Sequence, residues 1–285
     1  MAELILTVLK YSVILAIPAS MMVLSMEAEK PYLKVLYNNP KMMLRYFLVM
    51  FVLVPALALA LYYFDIDNRQ TWLAVLVISL SPASPGMLKS LNKINGDTKI
   101  SIAWMITAIL LSVIMLPVNL FIIDRFIKFK IDLGIDDVMI KLFIMFLLPM
   151  IVGFMISKFI PKAVPGLKKI LGLISKVASI TLIICVLIIA VPVLMNKSLV
   201  SMGLILAFLI ITLGLSLLFE LPGEKYGPIL AYSVVLRLPA PALVLASING
   251  MTKVYAPEII TFLLFGIILM MIYSKAFYGN KKVAN

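Results

Sequence analysis

Two proline-rich breaks interrupt apolar stretches that are each long enough to cross a lipid bilayer. The first reads Ser81-Pro82-Ala83-Ser84-Pro85-Gly86, and the second reads Arg237-Leu238-Pro239-Ala240-Pro241. Proline has no backbone N–H, and peptide groups in hydrocarbon have no water to bond with. Each break must therefore be enclosed by protein or line a water-filled cavity, an arrangement typical of a solute site halfway across a membrane.

Composition indicates an integral membrane protein. Hydrophobic residues make up 64% of the chain and charged residues only 13%, an apolar excess beyond that of soluble domains. A span needs about 20 apolar residues, and the candidate spans are 4–26, 42–64, 72–90, 100–123, 138–160, 170–195, 199–219, 227–247 and 259–277. We predict an all-α polytopic protein with nine transmembrane helices in the lipid bilayer, spans three and eight being broken. It is expected to form a single membrane transport domain over 1–285.

The placement of positive charge predicts the orientation of the spans. Of the 25 Lys and Arg residues, 16 fall on the side that holds the C-terminus, 8 fall on the other side, and Arg237 lies inside a span. The positive-inside rule places the C-terminus in the cytoplasm and the N-terminus outside a cell membrane. The net charge of +12 is thus a topology signal, and we expect no nucleic-acid partner. The acidic start Met1-Ala2-Glu3 predicts that the first span is retained.

The surroundings of the two breaks predict an internal repeat. Phe64 lies 18 residues before Pro82, and Phe219 lies 20 residues before Pro239. Gly96-Asp97-Thr98-Lys99 follows the first break as Gly250-Met251-Thr252-Lys253 follows the second. Since five spans separate corresponding helices, the repeat is inverted, with repeat one at about 4–123, a linking span at about 138–160 and repeat two at about 170–277. The alternative is a chance match of short apolar sequences.

The residues at the breaks predict how a solute is held. Ser84 followed by Pro85 is typical of an N-cap and first helical residue, and the N-terminus of such a half-helix attracts anions. We predict that hydroxyl groups supply neutral hydrogen bonds and that prolines keep the backbone open. The hydroxyl candidates are Ser81, Ser84, Ser101 and Ser233, and the prolines are Pro82, Pro85, Pro239 and Pro241. The alternative for each break is a packed proline kink.

Arg237 is predicted to lie near the bilayer midplane, where a charge costs at least about 3 kcal/mol and must face a partner or a wet cavity. No acidic residue is predicted at comparable depth, which favours an anionic ligand. The alternative is an arginine bonded to carbonyls that its own broken helix exposes, with no substrate contact.

The sequence resembles the bile acid:sodium symporter family. The resemblance rests on Leu24-Ser25-Met26, Asn39-Pro40-Lys41, Val54-Pro55, the first break leading to Gly96-Asp97, and Leu116-Pro117. It implies a panel domain and a core domain, with the two broken helices crossing in the core. It also implies sodium ligands, but the expected Ser-Asn pair falls at Met87 and Leu88, and the expected Glu and Gln fall at Ser233 and Arg237; only the hydroxyl of Ser101 survives.

We therefore predict a secondary transporter of a small organic anion, bile acid-like or a carboxylate, working by alternating access with sodium coupling lost or altered. An ordinary sodium symporter and an auxin-efflux-carrier-like transporter are alternatives, as are an anion channel and a non-transporting membrane scaffold. An enzyme is disfavoured because the chain has no His, and Cys185 is its one cysteine. We expect no cofactor and no cysteine metal site; a monomer and a homo-oligomer both remain open.

Overall fold

The computed structural model describes residues 2–27, 38–94, 97–127, 139–141, 143–195, 198–219, 227–248 and 252–278. We number its α-helices in chain order. They are α1 (Ala2–Glu27), α2 (Pro40–Phe47), α3 (Val54–Phe64), α4 (Arg69–Ser79), α5 (Gly86–Lys93), α6 (Thr98–Ile127), α7 (Leu148–Phe159), α8 (Val164–Met195), α9 (Leu199–Phe219), α10 (Gly227–Val235), α11 (Pro239–Ile248) and α12 (Thr252–Tyr278). The predicted repeat marks at Gly96 and Gly250 lie outside the described residues.

The all-helical, multi-pass prediction is confirmed. Within the described ranges, six helices are long and apolar enough to cross a membrane: Thr7–Glu27, Pro40–Phe64, Lys99–Ile127, Met139–Phe159, Leu199–Phe219 and Val254–Tyr278. They match predicted spans one, two, four, five, seven and nine. Predicted spans three and eight each occur as two short helices, α4 with α5 and α10 with α11. Predicted span six falls within α8, so the total of nine stays a prediction.

The chain divides into two compact units, and each draws on both halves of the sequence. The first unit comprises Met1–Lys34 and Gly134–Asn196, and the second comprises Val35–Leu133 and Lys197–Asn285. In the first unit, α1 packs against α7 and α8. In the second unit, α12 packs against α4, α9 and α11. Both proline breaks belong to the second unit.

Sequence signals explain two helix starts in the second unit. Asp97 caps α6, because its Oδ1 accepts the backbone N–H groups of Lys99 at 3.0 Å and Ile100 at 3.2 Å. These bonds satisfy donors that the first helical turn leaves without partners. Pro40 begins α2, where the missing N–H of proline removes no intrahelical bond.

Close packing of α1 on α7 in the first unit depends on Gly153. A Cβ atom at this position would lie 2.6 Å from the backbone oxygen of Met22 and would also collide with the hydroxyl of Ser25. The Ser25 Oγ itself donates to Met22 O at 2.9 Å. Only glycine therefore permits this approach of the two helices.

We predict that Gly153→Ala destabilises the first unit by about 1–3 kcal/mol, because α1 and α7 must separate to admit the methyl group. Thermal unfolding can be followed by a thiol-reactive dye at Cys185, which is buried in α8. Gly172→Ala is the matched control, since a Cβ there would have no neighbour within 4 Å. Equal unfolding midpoints for the two variants would contradict the packing argument.

The loop after α3 is organised by the carboxylate of Asp65. Its Oδ2 accepts the indole N–H of Trp72 at 2.9 Å, and the Asn68 amide donates to both carboxylate oxygens at 3.0 and 3.1 Å. The hydrogen bond from Trp72, and to a smaller extent that from Asn68, favours the ionised carboxylate. Together they lower the pKa of Asp65 below its ordinary value of 3.8.

Because this pKa is lower in the folded protein, the stabilisation is complete above pH 3.8 and is lost as the pH falls through the folded-state value. We expect Trp72 fluorescence to stay constant above that range and to change below it. Asp65→Asn keeps an acceptor for the indole but has no charge to titrate, so its fluorescence should not show this transition. Identical acid titrations of the wild type and the variant would refute the role of the carboxylate.

Candidate functional site

Both predicted breaks are present, and their half-helices cross. The first lies between α4 and α5, and the second lies between α10 and α11. Contacts join α4 to α11 and α5 to α10, so each half of one broken helix meets the opposite half of the other. The helix after the first break begins at Gly86, one residue later than the predicted start at Pro85.

The two breaks pair through their backbones in an antiparallel arrangement. Ser84 N donates to Leu236 O, and Leu238 N donates to Pro82 O, both at 2.8 Å. Ala83 and Arg237 lie opposite each other between these bonds. The pair satisfies peptide groups that would otherwise be stranded inside hydrocarbon, which explains how both helices can be open at the same place.

Two carbonyl groups at the crossing lose their usual helical donors. In an α-helix the carbonyl of Ser81 would accept from residue 85, but Pro85 has no N–H. The carbonyl of Val234 would accept from residue 238, but Leu238 N donates across the crossing to Pro82 O. Both oxygens are therefore available to other donors.

A third carbonyl is released by the π-helical segment Leu48–Leu53, which links α2 to α3. Here the N–H of Val54 donates to Val49 O, five residues back, rather than to Met50 O. The next candidate donor to Met50 O in this wide register is Pro55, which has no N–H. In the α-helical register Pro55 would also be the donor to Phe51 O. That oxygen instead accepts a hydrogen bond from the Asn119 amide at 3.3 Å.

The guanidinium of Arg237 binds all three released carbonyls. Its Nη1 donates to Ser81 O at 2.8 Å, its Nη2 to Met50 O at 3.1 Å and its Nε to Val234 O at 3.1 Å. The side chain is 1% exposed. Each of its nitrogens has an acceptor, as a buried cation requires. These acceptors are neutral, so the bonds themselves cancel none of its positive charge.

The structure brings some of the predicted site residues together. Ser81, Pro82, Ser84 and Arg237 meet in the crossing, and Pro239 begins the half-helix that follows it. Pro241 is buried two residues further along α11. The Ser81 Oγ is fully buried and has no hydrogen-bond partner among the described residues. Ser84 Oγ accepts the N–H of Gly86 at 3.3 Å, in the manner of a helix cap.

The hydroxyls of Ser101 and Ser233 are already committed within the protein. Ser101 Oγ donates to Asp97 O at 2.7 Å. Ser233 Oγ donates to Ile229 O at 2.6 Å and accepts the indole N–H of Trp104 at 3.0 Å. Both serines are fully buried. Their assignment as substrate ligands therefore stays a prediction that the observed bonds do not support.

Sequence reasoning missed the large side chains around Ser233. Trp104 is completely buried, and the Tyr46 ring meets its indole edge-on with centroids 5.1 Å apart. The sulfur of Met87, also buried, lies 3.6 Å from Ser233 Oγ. Apolar atoms thus occupy the neighbourhood in which the resemblance expects ion ligands. The sequence showed that Met87 replaces an expected sodium ligand. It did not indicate Trp104, which lies three residues after Ser101 and matches no expected ligand position.

The acidic side chain of Glu258 is buried, although it lies outside the predicted spans. That no acidic residue lies at the bilayer depth of Arg237 stays a prediction. Glu258 is 7% exposed and lies within α12, which begins at Thr252. The predicted span nine began at residue 259, so Glu258 was assigned to a loop. A predicted helix that began at Thr252, about two turns earlier, would have included Glu258.

An open groove in the first unit is a different kind of surface. It has a volume of about 510 Å³ and lies between α1 and α8, with Tyr11 and Ser12 on one wall and Thr181 on the other. Its lining contains no charged side chain. The groove therefore offers no counter-charge to an anion, and Arg237 of the second unit remains the better candidate.

The comparison with known proteins agrees with the fold. Residues 12–202, about two thirds of the chain, match the Sodium Bile acid symporter family. The matched region contains the first break and ends before the second. No curated protein matches the chain significantly. With a family match over most of its length and a multi-pass helical fold, the chain belongs to the Sodium Bile acid symporter family of membrane transporters.

Proposed function

We propose that the protein is a secondary transporter that moves a small organic anion, bile acid-like or a carboxylate, by alternating access. The observation that carries this proposal is the buried Arg237 guanidinium, held by neutral carbonyls where two broken helices cross. Broken helices that cross at bilayer depth are the usual setting of a transporter site. In this proposal the two units are assigned to the panel and core domains that the family resemblance implies. Alternating access would expose the crossing to each side in turn.

The charge of Arg237 favours an anionic substrate. Its hydrogen bonds go to carbonyls, so it acts on the substrate through its field rather than by direct contact. At about 6 Å and an effective dielectric constant of about 20, the attraction amounts to about 3 kcal/mol. The half-helix that starts at Gly86 adds partial positive charge at its N-terminus. The Ser81 hydroxyl supplies the neutral hydrogen bond.

Sodium-independent transport fits the environment better than ordinary sodium symport. The guanidinium already provides a cation at the crossing, and the buried side chains of Met87 and Trp104 fill space beside Ser233. Neither side chain offers an oxygen ligand of the kind that hard cations prefer. An ordinary symporter and an auxin-efflux-carrier-like protein remain the alternatives that share the same broken helices.

The backbone pairing supports the proposed inverted repeat and revises its register. A two-fold axis through the crossing exchanges the two hydrogen bonds and so relates Ser84 to Leu238. The spacing of 14 residues from Ser84 to Thr98 recurs from Leu238 to Thr252, and these threonines begin α6 and α12. In this register Pro85 corresponds to Pro239, so the earlier match of Pro82 with Pro239 is replaced. We retain the proposed orientation, with the N-terminus outside and the C-terminus in the cytoplasm.

The first test is uptake of labelled bile acids and short carboxylates into proteoliposomes, with sodium or choline as the cation. We expect equal wild-type uptake in both salts and a fall of at least about tenfold for Arg237→Ala in choline, equivalent to about 1.4 kcal/mol of lost stabilisation. Stimulation by substrate on the opposite side of the membrane would separate a carrier from a channel. If uptake by the wild type requires sodium and Arg237→Ala retains that uptake, the protein is an ordinary sodium symporter.

A second prediction concerns the hydroxyl at the crossing. Ser81→Ala should raise the KM for the transported anion about five- to tenfold, as expected for one hydrogen bond of about 1–1.4 kcal/mol. Ser112→Ala is the control, because this buried serine of the second unit donates only to its own helix, at Ile109 O. An unchanged KM for Ser81→Ala, with both variants folded, would remove the hydroxyl from the site.

A further inference from the structure

We propose that the crossing is a monovalent-cation site whose permanent occupant is the chain's own Arg237 guanidinium. This inference deepens the proposed function at one point, the loss of sodium coupling. It predicts a property that a transport assay does not test. When Arg237 is replaced by a small residue, the carbonyls that it binds should bind a free cation. The ligand class is a guanidinium or alkali ion.

The origin of the carbonyls carries the argument. The oxygens of Met50, Ser81 and Val234 belong to three separate segments, and each has lost its helical donor to a proline or to the pairing of the breaks. Buried acceptors without donors are unfavourable, and converging backbone carbonyls are a common way to replace the hydration of an alkali cation. The site is therefore built by the backbone and does not need Arg237 for its shape.

The occupant also joins distant parts of the second unit. Ser81 is 156 residues from Arg237 in sequence, and Met50 is 187 residues away. Without a cation the three carbonyl dipoles would repel one another across a buried space. The positive charge should thus stabilise the unit even where no substrate is present, which allows the site to be tested without transport.

The test measures thermal unfolding of the purified full-length protein in a Trp72→Phe background. Trp104 is then the one tryptophan, and its indole bonds Ser233 in the second unit. The salts are chlorides of choline, sodium, potassium and guanidinium at equal ionic strength, far below denaturing concentrations. The control is Arg237→Met, which fills the space with a neutral apolar side chain.

We expect the wild-type midpoint to be the same in all four salts. Arg237→Ala should unfold at a lower temperature in choline, and guanidinium or one of the alkali ions should restore most of the loss saturably. Arg237→Met should be destabilised and indifferent to the salt. A folded Arg237→Ala protein that responds no better to these ions than to choline would overturn the proposal.

A second comparison covers the case in which Arg237→Ala does not fold. Lysine and methionine differ mainly in charge, and a tethered ammonium can donate to the same carbonyls. Arg237→Lys should therefore keep much of the wild-type midpoint, whereas Arg237→Met should not. Equal midpoints for these variants would overturn the proposal. Failure of the uptake test with the expected salt responses would instead reject the transport assignment and leave the cation site standing.

Discussion

The constraint on which the structure depends is the supply of backbone N–H donors inside hydrocarbon. Pro55 and Pro85 remove donors from helices that cross the membrane, and their loss releases carbonyls of Met50 and Ser81. The two breaks supply some of the missing donors by bonding to each other, and the Asn119 amide bonds Phe51 O. The Arg237 guanidinium bonds the carbonyls of Met50, Ser81 and Val234. An arginine supplies several N–H groups in a fixed fork, so one side chain can bond oxygens from several segments.

Much of the fold could be predicted from the sequence, because its strongest signals are local. Long apolar stretches are visible without knowledge of their neighbours, and prolines fix where spans three and eight must open. The burial of Arg237 was also predictable, since a charge about ten residues into a predicted span must face a partner or a wet cavity. These features depend on the chemistry of single segments, so they can be predicted without knowledge of tertiary contacts.

The partners of these residues could not be predicted, because they are set by contacts over long separations in sequence. Nothing near Met50 indicates that its carbonyl meets Arg237, and the π-helical register that releases it depends on packing in the folded unit. The same limit applies to Ser233, which looked like a substrate ligand until Trp104 was found bonded to it. Glu258 was missed for a simpler reason, an error in where its helix begins.

The covalent attachment of Arg237 has a thermodynamic consequence for the proposed carrier. A free ion that binds on one side and leaves on the other brings the energy of its own gradient into the cycle, whereas a guanidinium bonded to the chain never dissociates. It returns with the protein after every turnover and contributes nothing to the driving force. With no other coupled ion, net movement would then follow the electrochemical gradient of the anion, and the protein would equilibrate its substrate rather than accumulate it against that gradient.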